Sequence, residues 1–218
     1  MATTNSTLTV SRALLVALTG CIALWGCTTI TVHDLAIAGV SVTNSDEWFD
    51  PRENWSGSKS TRRSLLRVDL TTQVDLSEAL LRWEMVIHAN VVFCSHPNDL
   101  AMVGYSLYTT TPQAGEFPRH LNSLHPVKYS GAAEKRTYYL PLNIARPASP
   151  SPSSIPPQIG FDLLNNPEDI CISVRGGKTL AWIWTMKWGY VRSNTVRLSS
   201  AAIREALRSG QITERPSN

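Results

Sequence analysis

The sequence lacks the short motifs by which several enzyme classes are recognised. It contains no Gly-x-Ser-x-Gly elbow, no phosphate-binding P-loop and no His-Glu-x-x-His helix. There is therefore no positive case for an α/β-hydrolase, a P-loop nucleotide hydrolase or a metalloprotease of that type. No cofactor motif is present either. These absences favour a role that is not enzymatic.

Charge of one sign is also not in excess. Arg12 is the only charged residue before Cys27, so the chain from Cys27 onward carries 19 basic residues against 17 acidic ones. A protein that binds nucleic acid, or a membrane surface by charge alone, needs a larger surplus. The composition therefore argues against a nucleic-acid partner and against broad electrostatic attraction to a membrane.

The apolar run at residues 13–26 is too short to cross a bilayer comfortably, since a spanning helix needs roughly 20 apolar residues. It follows Arg12 and ends in small residues, which is the order of a secretory signal. Within it, LTGC at 18–21 and LWGC at 24–27 resemble the lipobox of bacterial lipoproteins, in which the cysteine becomes acylated. The resemblance covers roughly the first thirty residues and says nothing about the role of the domain that follows.

Two cysteines compete for the acylated position. Cys21 has the better local pattern, because Trp25 is bulky for its place before Cys27, whereas Cys27 has the better apolar stretch before it. Cysteine parity separates them. Processing at Cys27 removes Cys21 and leaves Cys94 and Cys171 as an even pair, which predicts a disulfide in an oxidising compartment. We therefore predict acylation at Cys27, with Cys21 as the alternative.

The lipobox resemblance also implies a location. Thr28, not Asp, follows Cys27, and in bacterial lipoproteins the absence of Asp there implies the outer membrane, with the domain facing the periplasm. The alternative is a secreted or periplasmic protein without lipid. We expect a signal peptide at 1–26, the anchor and first strand at 27–44, the remainder of a single domain at 45–210 and a flexible tail at 211–218.

Alternation of apolar and polar residues with a period of two dominates the rest of the sequence. Such alternation predicts strands with one buried face. About nine strands and almost no helix predict an all-β fold, an antiparallel two-sheet β-sandwich of Ig-like or jelly-roll-like form, with a β-barrel as the alternative. The segments are 32–43, 66–70, 81–93, 103–107, 138–144, 159–163, 170–174, 180–190 and 195–198.

Glycine and proline indicate turns, an edge strand and an extended connection among these strands. The sequence RGGK at 175–178 predicts a tight hairpin turn, because adjacent glycines allow positive φ. Pro141 has no amide donor, which predicts a strand at a sheet edge. Residues 146–158 are rich in proline and serine and predict an extended, solvated connection.

Two short helical segments are indicated by capping signals. Asp75 begins a capping-box-like sequence that predicts a turn or short helix before the long strand. Ser199 or Ser200 predicts the start of a C-terminal helix that runs through Arg208 and ends at Gly210.

The loop at residues 45–56 is the best candidate for a ligand site. Asp46, Asp50 and Glu53 offer oxygen ligands, and Trp48 and Trp55 offer flat apolar faces. The spacing does not match the twelve-residue calcium loop, so we predict no metal site. The alternative interpretation is a solvated acidic loop whose tryptophans cover the core. A second cluster, FCSHPND at 93–99, lacks zinc-ligand spacing and predicts a polar turn at a strand end.

These patterns together predict an outer-membrane lipoprotein whose periplasmic domain binds a partner without catalysis, most simply an envelope protein. One alternative is a carbohydrate- or cell-wall-binding lipoprotein that uses Trp48 and Trp55. Another is an immunity or inhibitor lipoprotein that neutralises a toxin or a lytic enzyme.

Overall fold

The computed structural model describes most of the chain between residues 28 and 210. The predicted signal peptide with Cys21 and Cys27, the proline-rich stretch from 147 on, most of the segment 180–190 and the predicted tail lie outside the described residues. The described ranges are 28–48, 63–83, 85–97, 105–111, 113, 118–123, 135–146, 160–177 and 189–210.

The described residues form mostly β-strands with short helices between them. In chain order the elements are β1 (Thr28–Val32), β2 (Ala36–Asn44), α1 (Ser45–Trp48), β3 (Ser64–Thr72), α2 (Leu76–Trp83), β4 (Val86–Phe93), a 3₁₀ turn (Leu121–Ser123), β5 (Arg136–Asn143), β6 (Ala145–Arg146), β7 (Phe161–Asp162), β8 (Ile170–Gly177), β9 (Gly189–Ser193), β10 (Val196–Leu198) and α3 (Ser200–Ser209).

The first sheet, sheet A, is built around β8. Strand β4 pairs antiparallel with the whole of β8 on one side, while β10 and β9 pair with successive halves of it on the other, and β1 adds in parallel to β9. Arg192 lies opposite Arg175 and Val196 opposite Ile172. Residues 193–195 therefore face only two residues of β8, which makes a β-bulge.

The bulge holds the corner at which the chain leaves sheet A. The Asn194 backbone N–H donates to the Val32 carbonyl at 2.8 Å, and its side chain bonds both the N–H and the carbonyl of Leu35 at 3.0 Å. The predicted strand at 32–43 is confirmed from Ala36 onward as β2, but residues 33–35 are not in a strand and Val32 belongs to β1. These bonds hold residues 33–35 out of the ladders, so β1 and β2 belong to different sheets.

The second sheet, sheet B, has the antiparallel order β2-β3-β5, with Pro141 on its outer strand as predicted. Tyr139 exchanges backbone hydrogen bonds with Tyr108 at 2.8 and 2.9 Å on the side away from β3. Because alternate residues of a strand direct their amides to the same side, Pro141 also faces away from β3. Its missing N–H costs no ladder bond.

One apolar core joins the two sheets and α3. As predicted, Ser199 caps α3, its side chain accepting from the Ala202 N–H at 3.2 Å, and the helix ends at Gly210. Gly210 approaches β2 so closely that a Cβ there would lie 2.6 Å from Val42 Cβ. The fully buried core residues include Val68, Leu70, Leu140, Leu142, Ile87, Val91, Ile172 and Ile203.

The predicted helix start at Asp75 is confirmed, but the predicted strand at 81–93 is too long. Asp75 Oδ1 accepts hydrogen bonds from the N–H groups of Ser77 and Glu78 at 2.9 and 3.2 Å, which caps α2. The helix begins at Leu76, which is fully buried, and runs on to Trp83. Alternation holds from Met85 onward, where Ile87, Ala89, Val91 and Phe93 are buried.

The predicted hairpin turn at 175–178 is wrong for Arg175, Gly176 and Gly177, which continue β8. Gly176 lies between Ile87 and Val191 on the neighbouring strands, and a Cβ there would lie 3.0 Å from Ile87 Cγ1. The glycine permits close approach of strands rather than a turn. Val191 takes the inner position opposite Gly176, so its neighbour Tyr190 lies on the outer face and is 50% exposed.

The all-β expectation is confirmed at the level of two main sheets, and neither closes on itself among the described strands. Strands β6 and β7 form a small third ladder. Within the described part of the chain, no helix has both the length and the apolar character needed to span a membrane.

Candidate functional site

Cys94 and Cys171 form a disulfide, as predicted from cysteine parity. Their Cα atoms are 5.0 Å apart, within the range that a disulfide allows. Val92 pairs with Cys171, and the Cys94 N–H donates to the Asp169 carbonyl just beyond the end of β4. Both cysteines therefore lie on the outer face of sheet A, the face turned away from the core, and the bond ties β4 to β8 at one end.

A serine, a histidine and a carboxylate meet beside this disulfide. Ser95 Oγ donates to Glu168 Oε2 at 3.0 Å and lies 2.9 Å from His96 Nδ1. In a nucleophilic triad the histidine lies between the serine and the carboxylate and takes the hydroxyl proton. Here the serine lies in the middle and its proton is directed at the carboxylate. The arrangement fits the polar turn predicted for this segment.

Trp48 of the predicted ligand loop is packed against sheet B. Its side chain is 2% exposed, its ring meets Tyr108 edge-on at 5.1 Å, and its Nε1 donates to Thr43 Oγ1 at 3.0 Å. Leu65 completes this second apolar cluster. The indole faces are therefore not presented to solvent for stacking on a sugar. Trp48 is buried in a small apolar cluster that is separate from the core between the sheets.

Only the start of the predicted ligand loop is described. Asp46 is exposed in α1. Ser45 and Arg63 close the base of the loop with two hydrogen bonds, Ser45 N–H to the Arg63 carbonyl at 2.8 Å and Arg63 N–H to Ser45 Oγ at 2.9 Å. Within the described ranges, no group of three or more His, Cys, Asp or Glu side chains is placed to bind a metal. The remaining predicted residues, Asp50, Glu53 and Trp55, lie outside the described residues.

The outer face of sheet A carries two rows of side chains that the sequence did not single out. Strand register places Tyr190 beside Thr29 and Gly177, and Gly177 beside Val86. We call these four residues the tyrosine row. Tyr190 and Val86 are 50% and 43% exposed. An aromatic and an aliphatic side chain in the same row therefore face solvent.

The next row along the strands is cationic. Arg192 lies directly opposite Arg175, with Thr31 beside Arg192 and His88 beside Arg175. We call these four residues the arginine row. Both arginines are exposed, and among the described residues no carboxylate forms a salt bridge with either. Like charges placed directly opposite each other on a sheet destabilise it.

His88 is affected by this environment. Burial and then the charge of Arg175 lower the pKa of His88 below 6.5, so the imidazole is neutral at pH 7. The permanent positive charge of the arginine row therefore comes from its two guanidinium groups.

An open pocket of about 510 Å³ lies between the two rows, lined by Thr29, Arg175, Gly176, Tyr190, Val191 and Arg192. Guanidinium groups offer paired donors that match the oxygens of phosphate or carboxylate, and the tyrosine ring offers an apolar wall. The pocket is therefore suited to an anionic group that carries an apolar neighbour.

Sequence reasoning missed this surface for an identifiable reason. The predicted turn at 175–178 includes Arg175, so the sequence does not predict a position for this side chain on the face of a sheet. The available signal was the continuation of the alternation at 170–174 through Arg175, which places that side chain on the outer face.

Comparison of the chain with protein-family models, with curated proteins and with solved structures finds no match.

Proposed function

We propose that this chain is a lipoprotein anchored through Cys27 in the outer membrane. Its periplasmic domain is a two-sheet β-sandwich that binds a partner in the envelope and catalyses no reaction. The anchor confines the domain to a membrane surface, and the sandwich supplies rigid faces for contact.

The disulfide between Cys94 and Cys171 carries this proposal. Disulfides persist in oxidising compartments such as the periplasm and are rare in the cytosol. With these two cysteines paired, the remaining two of the four are Cys21 and Cys27, both in the N-terminal segment. Processing at Cys27 removes Cys21, so every cysteine of the mature chain is either paired or acylated.

The position of β1 supports the choice of Cys27. Thr28, the residue after it, is already paired with Gly189 in sheet A. An N-terminus at Cys27 joins the anchor directly to the sheet. Processing at Cys21 would instead place the six residues 22–27 between the anchor and the sheet, with an unpaired thiol at Cys27.

The shared core supports the sandwich. Residues of the inner faces of sheets A and B belong to one buried cluster, to which α3 adds Ile203 and Leu207. Two sheets that each bury one face against the other, with a helix along one side, form a two-layer architecture.

A protein partner is favoured over a glycan by the packing of Trp48. A carbohydrate site that uses Trp48 and Trp55 needs exposed indole faces, and Trp48 is 2% exposed.

Metabolic labelling with a palmitate analogue tests the anchor. We expect the wild-type chain and Cys21→Ala to be labelled and Cys27→Ala to be unlabelled. Label that persists in Cys27→Ala and disappears in Cys21→Ala would assign the lipid to the other cysteine. A wild-type chain without label would overturn the lipoprotein proposal.

A further inference from the structure

The two exposed large apolar side chains among the described residues both lie in the tyrosine row. Tyr190 and Val86 lie at matching register positions on either side of Gly177. Because Gly177 has no side chain, it covers neither of them. Tyrosine is enriched where proteins meet the membrane–water interface, because its ring is apolar and its hydroxyl is polar.

The tyrosine row is at the end of sheet A where the chain enters the domain. Strands β1 and β9 are parallel, so both begin at this end, and β4 begins and β8 ends there. Thr29 is two residues from Cys27 and Thr31 is four. At about 3.3 Å per residue, Thr29 of the tyrosine row lies within about 7 Å and Thr31 of the arginine row within about 14 Å of Cys27 along the strand.

Charge is polarised along the same axis. Arg175 and Arg192 lie one row from the entry end, and no carboxylate in the described part of the chain forms a salt bridge with them. Asp169 and Glu168 lie at the opposite end of β8, where Asp169 bonds Arg197. Among the described residues of sheet A, the entry end is therefore cationic and apolar, and the far end carries Asp169 and Glu168 together with Arg197.

We propose that the entry end of sheet A rests against the phosphate groups of membrane phospholipids. Tyr190 and Val86 lie at the headgroup boundary, and Arg175 and Arg192 bind lipid phosphate oxygens. The inference rests on the proposed function, because the anchor at Cys27 is what brings this end to the bilayer. It also sets the orientation of the domain, with the disulfide end of sheet A directed away from the membrane.

Phospholipid is favoured as the occupant by charge complementarity and by the place where the chain enters the sheet. Two opposed guanidinium groups repel each other until an anion lies between them, and a phosphate bound there relieves that repulsion. The tyrosine row lies on the anchor side of the arginine row. From the centre of a bilayer outward, the boundary of the acyl chains comes first and the phosphate groups follow, so the two rows have the matching order.

The test is the rate at which phenylglyoxal modifies each arginine, read by mass spectrometry. The full chain is isolated from membranes with its anchor and compared in uncharged maltoside micelles and in vesicles of phosphatidylcholine with phosphatidylglycerol. We expect modification of Arg175 and Arg192 to slow by about fivefold or more on the vesicles, as expected from the attraction of one arginine to an anionic lipid surface. Arg204 is the matched control, since it is exposed on α3 and has no salt bridge among the described residues. Its rate should stay the same.

Equal rates at Arg175 and Arg192 in micelles and vesicles would overturn the proposal, as would equal slowing at Arg204. A parallel sample receives inorganic phosphate in micelles. Protection by phosphate alone that matches the vesicles would identify a site for soluble phosphate and would also overturn the membrane contact.

The mass of the N-terminal peptide in the same samples separates the two proposals. Protected arginines in a chain whose Cys27 carries no lipid would count against the proposed anchor and for the membrane contact. Unprotected arginines in a chain acylated at Cys27 would count against the membrane contact and for the anchor.

Discussion

The outer faces of the two sheets differ in how their side chains are satisfied. On sheet B, Arg67 forms a two-bond ion pair with Asp69 at 2.8 and 3.0 Å and lies 5.6 Å from the centre of the Tyr139 ring. On sheet A, Arg175 and Arg192 oppose each other. Arg67 is therefore paired within sheet B, whereas on sheet A no described carboxylate forms a salt bridge with Arg175 or Arg192.

Removing the crosslink from sheet A should have the largest effect on stability. The Cys94→Ala/Cys171→Ala variant loses a bond that spans a sequence separation of 77 residues. The chain-entropy model gives a loss of about 4 kcal/mol in the free energy of unfolding. Urea denaturation of oxidised wild type and variant measures it. A difference below about 1 kcal/mol, outside the usual range for a native disulfide, would contradict the structural role.

One aromatic residue from each outer face provides the next test. Trp48→Ala on sheet B removes a buried indole and a hydrogen bond, and should lower the free energy of unfolding by about 3 kcal/mol. Tyr190→Ala on sheet A removes a half-exposed ring and should cost less than about 0.5 kcal/mol. Equal losses in denaturant titrations would show that the two faces are packed alike.

Glycine substitutions sharpen the same contrast within the strands. In Gly176→Ala of sheet A the new Cβ meets Ile87 Cγ1 and the Val86 carbonyl at 3.0 Å, so we expect overpacking to cost about 1–3 kcal/mol. In Gly39→Ala of sheet B the new Cβ meets only the Asp69 side chain, at 3.5 Å or more, so this variant should be nearly neutral. Thermal unfolding of both variants measures the difference, and a tolerated Gly176→Ala would contradict the close approach of β4 and β8.

Neutralising an arginine should change stability in opposite directions on the two sheets. Arg67→Gln breaks an ion pair and a cation–π contact, and should destabilise by about 1 kcal/mol. Arg192→Gln relieves repulsion from Arg175 and should stabilise by a few tenths of a kcal/mol, roughly 0.3, with the gain reduced by added salt. Destabilisation by Arg192→Gln in low-salt denaturation would reveal a compensating contact on sheet A.

Acidification should produce the smallest change in the free energy of unfolding, and two histidines should contribute to it. Burial lowers the pKa of His88 and of His120 below 6.5, and Arg175 adds to the effect at His88. Below pH 6.5 the unfolded chain binds more protons than the folded one, so the free energy of unfolding falls as the pH falls through this window. His88→Asn should remove the share of sheet A, and His120→Asn that of the position bridged through Tyr108 to the edge of sheet B.

Two aspartates change the free energy of unfolding only at lower pH, so their contribution can be measured separately from that of the histidines. Hydrogen bonds from Thr72 and Gln73 lower the pKa of Asp34, and the Asn165 side chain lowers that of Asp162. Their stabilisation is lost only as the pH falls below 3.8. Denaturation at pH 7 and pH 5 therefore isolates the histidines, and identical slopes in wild type and both variants would contradict their assignment.

What the sequence predicts correctly depends on local pattern or on counting. Alternation locates β3, β4, β5 and β8, parity pairs Cys94 with Cys171, and Ser199 and Gly210 mark the ends of α3. The errors arise where distant residues decide the structure. Asn194 divides the first strand from 159 residues away, and Gly176 is a strand residue because Ile87 and Val191 flank it. The arginine row depends on the register of four strands, which no single segment of the sequence contains.

Peptide mass spectrometry of the chain from the outer-membrane fraction tests the central claim most directly. The account predicts a mature N-terminus at Cys27 that carries acyl chains, together with a disulfide-linked peptide containing Cys94 and Cys171. A chain that retains Met1 in the cytosolic fraction, with both of these thiols reduced, would contradict it.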